Sequence, residues 1–182
     1  MIAEESAVNF HLKRTKLSYM KLVASLMLIA ASALPSFADT VVRWQKIEGV
    51  ITAPNVDNPV AAISSGTLPW TTRNGNARIN LTTGLGEFGV QGLVLNGGNA
   101  TGTTGPITSV VGTLVCNPGE DGQAIVDTPA AALNPAGDAE LSFQVNVPRT
   151  CANPLFLIRI PQFGRRWIAT GALRTTRSNS DY

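Results

Sequence analysis

The sequence predicts an all-β fold: a single antiparallel β-sandwich, immunoglobulin-like or jelly-roll-like, of about seven to eight strands, with a barrel as the alternative. Three observations carry this. The segment from Asp138 to Val147 alternates without a break, with Leu141, Phe143, Val145 and Val147 on one face and Glu140, Ser142, Gln144 and Asn146 on the other. A period of two belongs to a half-buried strand. Seventeen glycines and eleven prolines punctuate the 182 residues, which favours short elements over long helices. Cys116 and Cys151, the only two cysteines, each stand near a strand-like run, ITSVVGTLVC ending at the first and LFLIRI following the second.

The chain opens with a basic approach, Lys13, Arg14, Lys16 and Lys21, then an apolar run from Leu22 to Leu34, then the small residues Ser36 and Ala38. That order is a secretory signal peptide. The apolar run is too short to span a membrane, which takes about 20 residues. Residues 1–38 are therefore expected to be a leader cut after Ala38, with Met20 as an alternative start, leaving residues 39–182 as a single β domain with no membrane span. Its ten acidic and ten basic residues balance, which argues against a nucleic-acid partner. His11, the single histidine, falls in the leader.

Within the domain the first strand is expected over Val41–Ile51, with Trp44 as its core anchor, followed by an irregular connection from Thr52 to Leu68. Asn74-Gly75 predicts a tight hairpin, because both residues tolerate positive φ, with Ala77, Ile79 and Leu81 facing inward beyond it. Glu87–Asn96 reads as a strand in which Gly89 and Gly92 mark a bulge or a close backbone approach. After a low-complexity loop from Gly97 to Pro106 come a strand ending at Cys116, a short strand over Ala124–Thr128, and the strand from Asp138 that Pro148 ends. Leu155–Ile160 is apolar on both faces and so is expected to be central. Residues Phe163–Arg166 form a turn, Trp167–Thr175 the last strand, and Arg177–Tyr182 a polar tail.

Two cysteines in an exported chain predict a Cys116–Cys151 disulfide, since the compartment is oxidising and nothing else is available to pair. No metal site is expected: two thiolates with no histidine and no C-x-x-C spacing do not hold zinc. Glu120, Asp121 and Gly122, with Asn117 and Asp127 nearby, lack the spacing of a calcium loop and read as a solvated acidic turn. No cofactor is expected either. Gly84–Gly89 spells G-x-G-x-x-G, but the pattern binds dinucleotides only where a helix begins at its last glycine, and here the following residues are strand-like. Asn80 and Asn99 head glycosylation triplets.

Charge is unevenly placed: five acidic and no basic residues lie between Asn117 and Pro148, and six arginines against one aspartate follow. The two segments are expected to face each other across the surface. Arg165, Arg166 and Trp167, with Phe163, gather planar cations and aromatic rings in one turn. Arginine forks grip carboxylates and phosphates, and aromatic faces stack on sugars or cations. These three residues are the candidate binding site, with an anionic envelope component or polysaccharide as partner; the competing reading is a solvated turn whose tryptophan enters the core. Without histidine there is no Ser-His-Asp or Cys-His arrangement. The expected function is a secreted or periplasmic, non-enzymatic protein with a binding or structural role in the cell envelope or extracellular space. The alternative is a carboxylate-based glycoside hydrolase drawing on Glu48, Glu87 or Glu140.

Overall fold

Side-chain alternation sorts each strand into an inner and an outer face. In β1 (Thr40–Gly49) Val42, Trp44 and Ile47 are buried while Arg43, Gln45 and Lys46 are exposed. In β3 (Asn74–Asn80) the order is stricter, with Gly75, Ala77 and Ile79 inside and Asn74, Asn76 and Arg78 outside. The computed structural model describes residues 39–178. The leader expected at residues 1–38 and the end of the tail lie outside them.

The remaining elements are β2 (Trp70–Thr71), β4 (Leu85–Gln91), β5 (Val94–Leu95), β6 (Ser109–Cys116), β7 (Ala124–Ala132), β8 (Ala139–Gln144), β9 (Leu155–Arg159), a three-residue 3-10 turn (Phe163–Arg165) and β10 (Trp167–Ser178). Eight strands form one antiparallel sheet in the order β7-β6-β9-β10-β1-β3-β4-β8, and β2 with β5 makes a separate two-stranded ribbon. The sheet curls until its edges β7 and β8 lie side by side, a nearly closed, barrel-like form within the predicted all-β antiparallel class. Apolar β9 is central, as its sequence predicts.

Inside the curl an aromatic chain crosses from wall to wall. Trp44 and Phe156 stand 5.5 Å apart, Phe156 and Phe88 5.7 Å, and Phe88 and Phe143 6.3 Å, all tilted, the offset geometry such rings favour. The neighbouring strands carry glycine where a side chain would collide: a Cβ on Gly112 of β6, beside β9, would lie 2.8 Å from Phe156, and one on Gly171 of β10, beside β1, 2.7 Å from Trp44.

The turn that joins β7 to β8 is fastened to the segment that follows β4. Asp138 accepts hydrogen bonds from the Gly92 amide at 2.9 Å and the Asn134 side chain at 3.2 Å, and the Leu93 amide donates to Gly137 at 2.8 Å. Gly137 holds φ +79°, and a Cβ there would sit 2.5 Å from the Leu93 carbonyl oxygen, so no other residue fits without rebuilding that contact.

Three local expectations are corrected. Asn74-Gly75 is not a hairpin: both residues lie inside β3, paired with Gln91 and Val90 of β4, while β2 pairs with β5. The real β3–β4 turn falls at residues 81–84, where the Asn80 side chain accepts from the Thr82 and Thr83 amides and Gly84 takes φ +72°. Strand β7 runs through Pro129 to Ala132, because it is an edge strand and a proline there need not break a ladder on its open side. Strand β8 stops at Gln144, short of Pro148, because its partner β4 begins at Leu85 and the chain turns away at Gly84.

Cys116 and Cys151 are joined, with Cα atoms 4.5 Å apart. The bridge ties the end of β6 to the long connection that leads from edge strand β8 to central strand β9. Asn117 doubles the tie, accepting from the Ala152 amide at 2.8 Å and donating to the Thr150 carbonyl at 3.2 Å. Closing a loop of 35 residues stabilises by about 4 kcal/mol in the chain-entropy model. Replacing either cysteine by serine should therefore lower the melting temperature by on the order of ten degrees. Thiol titration of the unfolded, unreduced protein should find no free thiol; finding two would refute the staple.

Candidate functional site

Arg159 organises one end of the sheet. Phe156 points into the interior, so Arg159, three residues on, points to the outer face. Its side chain is nevertheless only 10 % exposed, and a guanidinium does not shed its charge, so it requires a counter-ion. Asp127 on β7 supplies it. One Asp127 oxygen accepts from Arg159 Nη1 at 3.0 Å and from Thr113 Oγ1 at 2.7 Å, and the other accepts from Arg165 Nη1 at 2.7 Å. Arg159 Nε donates to the Arg165 backbone carbonyl at 2.6 Å. For this carboxylate, the acidic and arginine-rich segments do face each other. Asp127 is thus no part of an acidic calcium turn, whose other members, Glu120 and Asp121, are exposed.

The turn after β9 is bent hard. Phe163, Gly164 and Arg165 hold φ of 55°, 78° and 54°, a left-handed run that only the glycine adopts freely. Each of the other two stores about 1–3 kcal/mol. Bonds from both sides hold the bend: the Arg165 amide donates to Gln162, the Ile160 amide to Arg166, and Arg165 is gripped by Arg159 and Asp127.

The structure brings Arg165, Arg166 and Trp167 to one corner but sends them different ways. Arg165 is 65 % exposed beyond its bond to Asp127. Arg166 is half-buried and donates Nη1 to the Ser65 carbonyl at 2.8 Å. Trp167 turns inward, 4 % exposed, with its indole N–H donated to the Asn58 carbonyl at 3.0 Å. Both partners belong to the irregular connection between β1 and β2, which lies along the start of β10 through a bridge between Ser65 and Trp167. Asp57 shapes that connection. Its carboxyl sits below the ordinary value of 3.8, chiefly because it accepts the Ser65 amide, with the Ser64 hydroxyl next, against opposing desolvation and with smaller help from the Arg166 charge.

Between the connection and the turn lies a groove of about 340 Å³, lined by Gly66, Leu68, Trp70, Leu95, Thr104, Ile107, Ile160, Phe163 and Arg166 among others. Apolar surface dominates it. A second concavity, of about 420 Å³, lies over β3, β4 and β8, where side-chain-free Gly89 is surrounded by Asn74, Asn76, Gln91, Asp138 and Glu140. The carboxylates of the hydrolase reading are scattered. Glu87 is held by both Arg78 Nε at 2.8 Å and Nη2 at 3.1 Å, Glu48 pairs with Lys46 at 2.5 Å, and Glu140 lines the polar trough. Asp138, beside Glu140, lies below its ordinary 3.8 because it accepts the Gly92 amide, then the Asn134 side chain, with Arg73 adding a smaller effect.

An eight-stranded, disulfide-stapled antiparallel protein, nearly closed on itself, with an arginine corner beside an apolar groove is the class these features define. No protein-family model matches the chain, and neither any curated protein nor any solved structure does.

Two expectations follow for the charges. Removing Asp127 strands the buried Arg159, so Asp127→Ala should cost about 3 kcal/mol or more, whereas Arg165→Ala removes an exposed partner and should cost under about 1 kcal/mol. Urea unfolding of both variants measures the contrast, and equal costs would refute the clasp. Asp57 and Asp138 both have folded-state pKa values below the unfolded one. Their contribution is therefore complete above the unfolded value of 3.8 and is lost as pH falls through the folded values. Melting temperature should drop below about pH 4, and more shallowly in the Asp57→Asn, Asp138→Asn double variant; an unchanged slope would refute it.

Proposed function

We propose that the protein is an exported, non-enzymatic binding protein of the cell envelope or extracellular space, whose partner is anionic, such as an acidic envelope polysaccharide. One observation carries this reading: Arg165 and Arg166 are neighbouring guanidiniums on a turn fastened at both ends, each with part of its fork at the surface. A pre-ordered arginine loses less freedom on binding than one in a tail. The leader expected from the sequence supports export, and the disulfide is compatible with an oxidising compartment.

The hydrolase reading has less support. Such an enzyme needs one carboxyl held protonated and a second carboxylate across a cleft. Asp138 and Glu140 share a concavity, but Asp138 is pulled the other way and spends its oxygens on Gly92 and Asn134.

Protein recovered from the periplasm or medium should begin at Asp39; an intact leader on soluble cytoplasmic protein would overturn export. Retention on isolated envelope fractions should fall as salt rises, since exposed charges are screened within about 8 Å at physiological ionic strength. The Arg165→Ala, Arg166→Ala protein should be retained several-fold less than wild type at low salt. Equal retention of the two would mean the corner is only a solvated turn.

A further inference from the structure

Two polar side chains in the apolar groove have no hydrogen-bond partner among the described residues. Trp70 is 5 % exposed and Thr104 7 %, and neither the Trp70 indole N–H nor the Thr104 hydroxyl forms a side-chain hydrogen bond among the described residues. Yet no described side-chain nitrogen or oxygen is both sealed from solvent and unpartnered. Both groups therefore open onto solvent, and the concave surface these two residues share is the groove. A Cβ placed on Gly66, also in its wall, would lie 3.6 Å from the Trp70 nitrogen, so the absence of a side chain there keeps that N–H clear.

The rest of the lining is built for hydrocarbon. Ile107 and Ile160 are buried beneath it, and Phe163, 65 % exposed on the strained turn, stands at its rim. Its left-handed backbone costs energy that a free turn would not spend, so its place at the rim is imposed by the fold. Arg166 lines the same groove, with Nη1 on Ser65 and its other nitrogens making no hydrogen bond among the described residues; Asp57 offsets part of its charge from the connection side. An apolar cleft of this volume with a few placed donors has the size and lining that small-molecule sites use.

We propose that the groove binds the hydrocarbon chain of an amphipathic carboxylate of the fatty-acid type, with the chain against Ile107, Ile160 and Phe163 and the carboxylate at Arg166 within reach of the Trp70 and Thr104 donors. This rests on the anionic-partner reading above and adds to it an apolar part, which a bare polysaccharide lacks.

Sodium decanoate, kept below its micelle-forming concentration, is the probe, with decanol and polygalacturonate as the uncharged and the chain-free comparisons. Titrated into oxidised, exported protein labelled with nitrogen-15, decanoate should shift the indole N–H resonance of Trp70 in a saturable way. The Trp167 resonance, whose N–H is held by Asn58, should barely move. Arg166→Gln should weaken decanoate about tenfold, the loss of one charge-assisted contact, and leave decanol unchanged, while Phe163→Ala should weaken both. Phe163 is exposed, so that variant tests the groove without emptying the core. No saturable shift at Trp70, or equal decanoate affinity in wild type and Arg166→Gln, overturns the proposal. If polygalacturonate binds through Arg165 and Arg166 while decanoate does not, the groove inference fails and the anionic-corner reading stands; if decanoate binds as described and polygalacturonate does not, the reverse holds for the polysaccharide.

Discussion

Arg159 places a permanent positive charge on a central strand with almost no water around it, and much of that end of the molecule follows from neutralising it. A lone guanidinium in such a place is prohibitively costly. Asp127 can reach it only if β7 pairs with β6 so that Asp127 stands opposite Thr113, which is the observed register just past the irregularity between Val111 and Thr113. Arg159 Nε then claims the carbonyl of Arg165, and for that carbonyl to point back at β9 the turn must bend through three left-handed residues. Once the turn is set, Trp167 enters β10 facing inward, where its indole and backbone capture Asn58, Ser64 and Gly66. The connection between β1 and β2 is drawn in, and the groove is the space left between it and the turn.

The second constraint on the molecule is volume. A sheet of eight strands that nearly closes has an interior wide enough for side chains and little more, and here four aromatic rings fill it. They fit because Gly112 on β6 and Gly171 on β10 offer backbone where the rings arrive. Glycine in mid-strand loses chain entropy on folding; the aromatic burial it permits more than offsets that. Filling with large rings and clearing with glycine is one device seen from two strands.

What the sequence disclosed was whatever depends on neighbours along the chain. The alternation around Phe143, the two apolar faces of Leu155–Ile160 and the inward Ala77 and Ile79 need only a period of two, and each is observed, whereas Leu81, expected inward with them, falls past the end of β3 and is only partly buried. The disulfide needed only a count and a compartment. What stayed hidden depends on pairing at a distance. Asn74-Gly75 carries the chemistry of a hairpin, but the ladder with Gln91 and Val90 won, because it places Ala77 and Ile79 against Phe88 and Gly86. Asp127 looked like one member of a solvated turn, since its partners lie 32 and 38 residues further on. The excess of arginine after Arg149 was the only local trace of that clasp, and it names no pair. The groove had no trace at all, for Trp70, Thr104, Ile107 and Ile160 come from separate elements and meet only when the sheet has curled.

Arg165 and Arg166 look equivalent in the sequence and are not equivalent in the fold. Arg165 is joined to the structure through both its carbonyl and its guanidinium, so its conformation is determined by Asp127 and Arg159 and whatever charge it presents is already half compensated. Arg166 rests on a neutral carbonyl, which fixes where it points without cancelling its charge, and the nearest acid acting on it, Asp57, is turned toward the Ser65 amide. The strain in the turn is therefore carried by one arginine while the other, one residue along, gains the position from which an anion can be met. Replacing Phe163 or Arg165 by glycine would relieve the bend, yet it would also remove the aromatic at the rim of the groove or a cation on Asp127. The unfavourable backbone is thus tied, residue by residue, to the surface it holds in place.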